Sequence, residues 1–215
     1  MKKVVSFDLD GTLVDAKYGD MVWNHGIPEE YSKKYGMSLD EARTAVMDQY
    51  SSVGDADLLW YEIGYWLQRF DLPVTADELL DRYEGFIKPL AGAAEVLKVL
   101  KDRYVLVIAS NAARMFVEKE LVCAGLARYF SRVVSATSDY KMVKKEPDFF
   151  KKLCSVLGVT EKEIIHVGDH RIFDFEVPSG LGIEAYHVTD KPPEQARDGG
   201  NVKAIGNLTE LLEML

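Results

Sequence analysis

Hydrophobic and polar positions divide the chain into three textures. Residues 4–7 (VVSF) are a short apolar run that stops on DLDGT. Residues 16–87 carry helical periodicity and no convincing strand. From Pro89 onward, strand and helix patterns alternate. AAEVLKVLKD predicts a helix and YVLVIAS a strand. Residues 111–124 predict a helix that Gly125 can close, and RVVSA a strand. PDFFKKLCSVLG predicts a helix with Pro147 in its first turn and Gly158 as its stop. Thr160 and Glu163 lie at capping-box spacing. The apolar run EIIHVGD begins at once, however, so only a short turn fits before that strand. IEAYHV predicts a further strand and NLTELLEML a terminal helix.

The strand runs are continuously apolar, which suits strands covered on both faces. Alternation with helices then implies an α/β fold: a Rossmann-like parallel sheet core with helices on both faces, plus an inserted all-helical domain. The expected core is residues 1–15 and 88–215, and the expected insert residues 16–87. All three tryptophans (Trp23, Trp60, Trp66) and seven of the eleven tyrosines fall in the insert. Leu59, Ile63, Trp66 and Phe70 form a helical stripe there, which reads as the insert's own core rather than a stacking platform. In FDFEVPSGLGI, Pro178 predicts a short or kinked helix.

Charge narrows the function classes. With 35 acidic and 26 basic residues the formal net charge is −9, which argues against a nucleic-acid partner. No apolar stretch is long enough to span a bilayer, and no leader pattern opens the chain. A cytoplasmic protein without a membrane partner is expected. Cys123 and Cys154 read as buried free thiols. His166 and His187 fall inside strand patterns and read as core, and His170 as structural. No His/Cys cluster suggests zinc.

The candidate chemistry gathers at strand ends, where parallel α/β sheets bind ligands. The first strand ends at Asp8 and Asp10, and YVLVIAS ends at Ser110 and Asn111. EIIHVGD ends at Asp169, with Asp174 five residues later. After RVVSA comes a polar loop, TSDYKMVKK, with Lys141, Lys144 and Lys145. Taken alone, Asp8 and Asp10 could be a turn and a helix cap. Matching polar groups at the other strand ends weaken that reading. Four carboxylates on one rim would repel one another, and a divalent cation with hard oxygen ligands, Mg²⁺, resolves this.

DLDGT, the strand ending in SN, the downstream lysine with a proline, and GDHRIFD together resemble the four motifs of the haloacid dehalogenase superfamily of phosphohydrolases. The resemblance covers nearly the whole chain, and the insert is similar to that family's C1-type helical cap. It implies Asp8 as a nucleophile that becomes an aspartyl phosphate, and Asp10 as general acid and then base. It also implies Mg²⁺ held by Asp8, the Asp10 carbonyl and Asp169, with Asp174 in support. Ser110 and Asn111 would bind phosphoryl oxygens, and a lysine would neutralise charge beside the nucleophile. Aligning Pro147 with the family's second proline in KKEPDFF selects Lys144; a shift by one selects Lys145.

The expected function is Mg²⁺-dependent hydrolysis of a small phosphorylated metabolite. The alternatives are a phosphomutase of the same superfamily and, from another class, a non-catalytic receiver-like phosphate-binding module. A dehalogenase is disfavoured because the family's dehalogenases lack an acid at the position of Asp10. A cap would carry specificity and exclude water on closing, with Tyr18 and Trp23 as candidate contacts to the leaving group.

Overall fold

The computed structural model describes residues 1–189 and 203–215. The chain forms two compact units, residues 1–15 with 89–215, and residues 16–88.

The first unit holds a six-stranded sheet: β1 (Val4–Phe7), β2 (Val105–Ser110), β3 (Arg132–Ser135), β4 (Ile164–Gly168), β5 (Glu184–Val188) and β6 (Ala204–Ile205). The order is β3-β2-β1-β4-β5-β6, and every pairing is parallel. Chain direction across the sheet reverses between β1 and β4, and such a switch point opens a crevice at the strands' carboxyl ends.

Alternate residues of each strand feed two cores, as the period of two requires. Val5, Phe7, Leu106, Ile108, Ile165 and Val167 join one core, with residues of the helices Ala93–Leu100 and Arg114–Cys123. Val4, Val107, Ala109 and Ile164 join the other, under Phe149, Phe150 and Leu153 of the helix Pro147–Leu157. That helix starts on Pro147 and stops at Gly158 in the left-handed conformation. The capping box at Thr160 and Glu163 closes one 3-10 turn before β4. The segment expected to be a loop after β3 instead winds into a short helix, Ala136–Tyr140, because the Ser135 hydroxyl accepts the Ser138 amide and caps it. Pro178 lies in a four-residue helix, Val177–Gly180, that follows a π-helical turn, Arg171–Glu176. Cys154 is buried, but Cys123, at the end of its helix, is exposed.

Entry to and exit from the insert run side by side. Val14 and Pro89 form an antiparallel bridge, and the Leu90 amide donates to the Leu13 carbonyl.

The second unit is helical throughout, with Ser38/Glu41 and Thr75/Glu78 capping boxes starting two of its helices. Ile63, Trp66 and Phe70 are buried; Trp66 stacks on Phe70 and meets Tyr50 edge-on. Leu59 does not belong to that stripe. It lies in a separate 3-10 turn, Leu58–Tyr61, whose phase differs from the helix Ile63–Arg69, and it is 40% exposed. Tyr18 is fully buried and donates to the Leu80 carbonyl, so it serves this unit's interior. Trp23 is half-buried against Tyr50. Among the described residues, no helix is long and apolar enough to cross a membrane.

Candidate active site

The carboxyl ends of β1 and β4 meet at the switch point. Register pairs Phe7 with Val167, so Asp8 and Asp169 leave the sheet close together. Side-chain oxygens of Asp8, Asp169 and Asp174 all lie within 4.8 Å of one another. Two glycines permit this approach. Gly11 has φ +74°, and a Cβ there would sit 2.4 Å from an Asp169 oxygen. A Cβ on Gly168 would sit 2.4 Å from the Asp174 carboxyl carbon. Any side chain at either position would push a carboxylate away.

The cation among these acids is Lys145, which corrects the choice of Lys144. Lys145 is 1% exposed. Its ammonium donates to Asp8 Oδ1 at 2.5 Å and to the Ala109 carbonyl at 3.1 Å, and it pairs with Asp174 Oδ1 at 2.6 Å. Lys144 is half-buried, its ammonium over the Phe173 ring. The cause is local. The Glu146 amide donates to the Lys144 carbonyl, a three-residue turn centred on Lys145 just before the helix-starting proline. That turn aims Lys145 inward; proline spacing alone does not reveal it.

Asp174 has both oxygens engaged. Oδ1 takes Lys145 and His166 Nε2 (3.0 Å), and Oδ2 takes the His170 amide (3.0 Å). Burial works against its charge, but Lys145 and His166 outweigh that and hold it below the usual carboxylate range. Burial likewise opposes the Lys145 charge, and Asp174 and Asp8 outweigh it, keeping the ammonium above the ordinary lysine range. Asp8 is pushed up by burial, against Lys145, with Asp174 and Asp169 adding repulsion. Asp169 is pushed up by burial and by Asp174. Asp10 is raised by burial, which the neighbouring Glu120 and Lys145 partly offset.

This donor set fits a hard divalent cation. Four carboxylates gather around one ammonium, and burial, with repulsion from Asp174 added, pushes Asp8 and Asp169 toward neutrality. Lys145 and backbone or imidazole donors occupy the Asp174 oxygens. Asp8 and Asp169 are therefore the side chains with oxygens to give. The turn after β1 is closed by hydrogen bonds to the Leu9 and Val14 carbonyls.

Ser110 is buried at the end of β2, its hydroxyl accepting the Ala112 amide at 3.0 Å. Asn111 follows, with a buried Oδ1 that has no hydrogen-bond partner among the described residues. His187 is half-buried rather than core, and its Nε2 meets the Asp169 carbonyl at 2.8 Å. His170 caps the π-helical turn: its Nδ1 accepts the Phe173 amide.

Sequence reasoning missed two features. Glu120, on the helix after β2, is 1% exposed. Both its oxygens are buried without a well-formed hydrogen bond. Burial and the neighbouring Asp10 and Asp8 carboxylates push it up to about 10, so it is neutral at pH 7. A signal was present: Phe116, Val117, Glu120 and Leu121 share one buried helical stripe. The second is the pairing of His166, a core residue as expected, whose two ring nitrogens meet Ser6 and Asp174.

A family model described as haloacid dehalogenase-like hydrolase matches residues 2–176. A solved structure of a HAD phosphatase from Thermococcus onnurineus superposes with a TM-score of 0.82 at 27% identity, covering 100% of this chain and 97% of that one. The glyceraldehyde 3-phosphate phosphatase of Pyrococcus abyssi is 26% identical over 196 residues, 86% of this chain and 80% of that protein. The GMP/IMP nucleotidase YrfG of Escherichia coli is 33% identical over 72 residues, 34% of this chain; the match spans only 32% of the nucleotidase.

Proposed function

Because the chain belongs to the haloacid dehalogenase-like hydrolases, we propose that it is a Mg²⁺-dependent phosphatase of small phosphorylated metabolites, working through a phosphorylated Asp8. The observation that carries this reading is the Lys145–Asp8 contact at the sheet's switch point, with Asp10 two residues on and raised by burial. A relative of near-full coverage, named for glyceraldehyde 3-phosphate, supports the substrate class.

The chemistry divides one displacement into two. With Lys145 engaging Asp8, a carboxylate oxygen of Asp8 attacks phosphorus and the ester P–O bond breaks. Asp10, whose protonated form burial favours, gives a proton to the leaving oxygen. Asp10, now a carboxylate, takes a proton from water, whose oxygen attacks phosphorus. The Asp8–phosphorus bond breaks and inorganic phosphate leaves. Ser110 and Asn111 hold the phosphoryl oxygens. The Lys145 ammonium offsets repulsion between an anionic nucleophile and an anionic ester. Mg²⁺, held by Asp8, the Asp10 carbonyl and Asp169, would supply further charge neutralisation and orientation.

The test is a panel of phosphate monoesters with Mg²⁺ and with chelator. Turnover should appear with Mg²⁺, vanish on chelation and return on readdition; Ca²⁺ should support little, given its looser coordination. Full activity in excess chelator refutes the metal assignment. With an activated ester, Asp10→Asn should accumulate acid-labile phosphoenzyme, and Asp8→Asn should carry none. Wild-type labelling of Asp8→Asn would place the nucleophile elsewhere.

A further inference from the structure

β1 and β4 are apolar strands, yet each carries one fully buried polar side chain at the same level. Ser6 and His166 are partners in the register, both 0% exposed. They point into the core beneath the helix Pro147–Leu157, where the His166 ring meets Phe150 edge-on at 5.0 Å. Burying two polar groups in such a layer is costly unless each is paired. Here they are paired in series. Ser6 Oγ lies 2.8 Å from His166 Nδ1, and His166 Nε2 lies 3.0 Å from Asp174 Oδ1. Asp174 Oδ1 in turn meets Lys145, and Lys145 meets Asp8.

We infer that His166 is a positioning residue: through Asp174 it fixes the Lys145 ammonium against the Asp8 carboxylate. The inference rests on the proposed phosphatase mechanism for its effect on turnover, but not for its effect on Lys145.

An ionised carboxylate only accepts hydrogen bonds, so Nε2 carries the proton it shares with Asp174. Burial disfavours the imidazolium, against Asp174, which leaves Nδ1 bare to accept from the Ser6 hydroxyl. The longer Ser6 contact, 3.1 Å to the Ile165 carbonyl, is the hydroxyl's other choice. Ser6 thus selects the tautomer that faces Asp174. A carboxylate held only by a mobile ammonium can swing with it. Held also by a ring wedged against Phe150 and by the His170 amide, Asp174 is a fixed anchor. Lys145 then spans two fixed points, Asp174 and the Ala109 carbonyl, before it reaches Asp8.

Two substitutions separate positioning from packing. His166→Phe keeps a flat ring against Phe150 and loses the donor. His166→Gln loses the ring and keeps an N–H donor in reach of Asp174. Two readouts apply to each: kcat and KM on a phosphate monoester with Mg²⁺, and the rate at which acetic anhydride acetylates Lys145, read by mass spectrometry. In His166→Phe, kcat should fall about 10- to 100-fold with KM within about 3-fold, since the loss falls on charge placement in the transition state. Lys145 acetylation should rise by about 5-fold or more as the ammonium leaves its anchors. His166→Gln should stay within about 3-fold of wild type on both counts, because the hydrogen bond to a charged group survives.

Wild-type kcat and Lys145 protection in folded His166→Phe overturn the inference. So does a folded His166→Gln that falls as far as the Phe variant, since a surviving N–H donor would then fail to hold Lys145. If His166→Phe does not fold, His166→Gln decides alone: retained Lys145 protection supports the anchor and its loss overturns it. If the wild type turns over no monoester, the proposed activity fails, and the acetylation rates still decide whether His166 anchors Lys145.

Discussion

Lys145→Met is expected to abolish turnover and destabilise the core unit, while Lys144→Met leaves both near wild type. Both effects follow from one position. The Lys145 ammonium contacts both Asp8 and Asp174, and it is buried with them. Removing one partner of a buried ion pair leaves the other charge uncompensated, at a cost of about 3–5 kcal/mol. Two carboxylates are stranded here, so some of that cost will be relieved by protonation of Asp8. That relief itself harms activity, since a protonated Asp8 is no nucleophile. A loss of about 10³-fold or more in kcat is expected, comparable to removing a principal electrostatic group from other active sites. Lys144 is half-buried with its ammonium over the Phe173 ring, a contact of about 1–2 kcal/mol. The check is kcat on a monoester, with urea melts of both variants. A Lys144 variant that loses the greater activity would restore the alignment by proline spacing.

Glu120→Gln is expected to stabilise the protein, and more so as pH rises. Glu120 is buried beside Asp10, and its carboxyl is pushed up to about 10 from an ordinary value of 4.5. Over the interval between those values the folded state keeps the proton and the unfolded state has lost it. The unfolded state binds fewer protons, so wild-type stability falls as pH rises from about 4.5 to about 10 and levels off beyond. Glutamine carries no such slope. Each pH unit in that window is worth about 1.4 kcal/mol for an isolated group. With relaxation and coupling to Asp10, the advantage of Glu120→Gln should grow by about 2–4 kcal/mol between pH 5 and pH 8. Urea melts in chelator measure it, because a bound cation would alter the field of Asp8 and Asp10. Parallel stability–pH curves for the two proteins would falsify the neutral-carboxyl assignment.

The sheet was legible for a physical reason. Strands covered on both faces must be apolar throughout, and each is bracketed by a turn or cap that only a few residues serve. The polar residues at their ends were legible for the complementary reason: Asp8, Ser110 and Asp169 interrupt apolar runs where burial would otherwise continue. What escaped depends on direction rather than composition. A three-residue turn decides which of two adjacent lysines faces Asp8, and no periodicity encodes it. The Ser6–His166 pair needs the register of β1 against β4, which two distant segments set jointly. Glu120 was readable from its place in an apolar stripe but is flanked by Glu118 and Lys119, which make the stretch look like a solvated face. β6, two residues long, carries too short a pattern for any period.

The bridge between Val14 and Pro89 gives the insert an unusual standing toward the sheet. Where its ends are pinned side by side, the core experiences seventy-odd residues much as it would a hairpin loop. Loop-closure entropy rises only logarithmically with length, about 0.6 kcal/mol per doubling. The core's stability is accordingly almost blind to what is threaded between these two strands. That permits long, short or foreign modules to be exchanged there at little cost to the sheet.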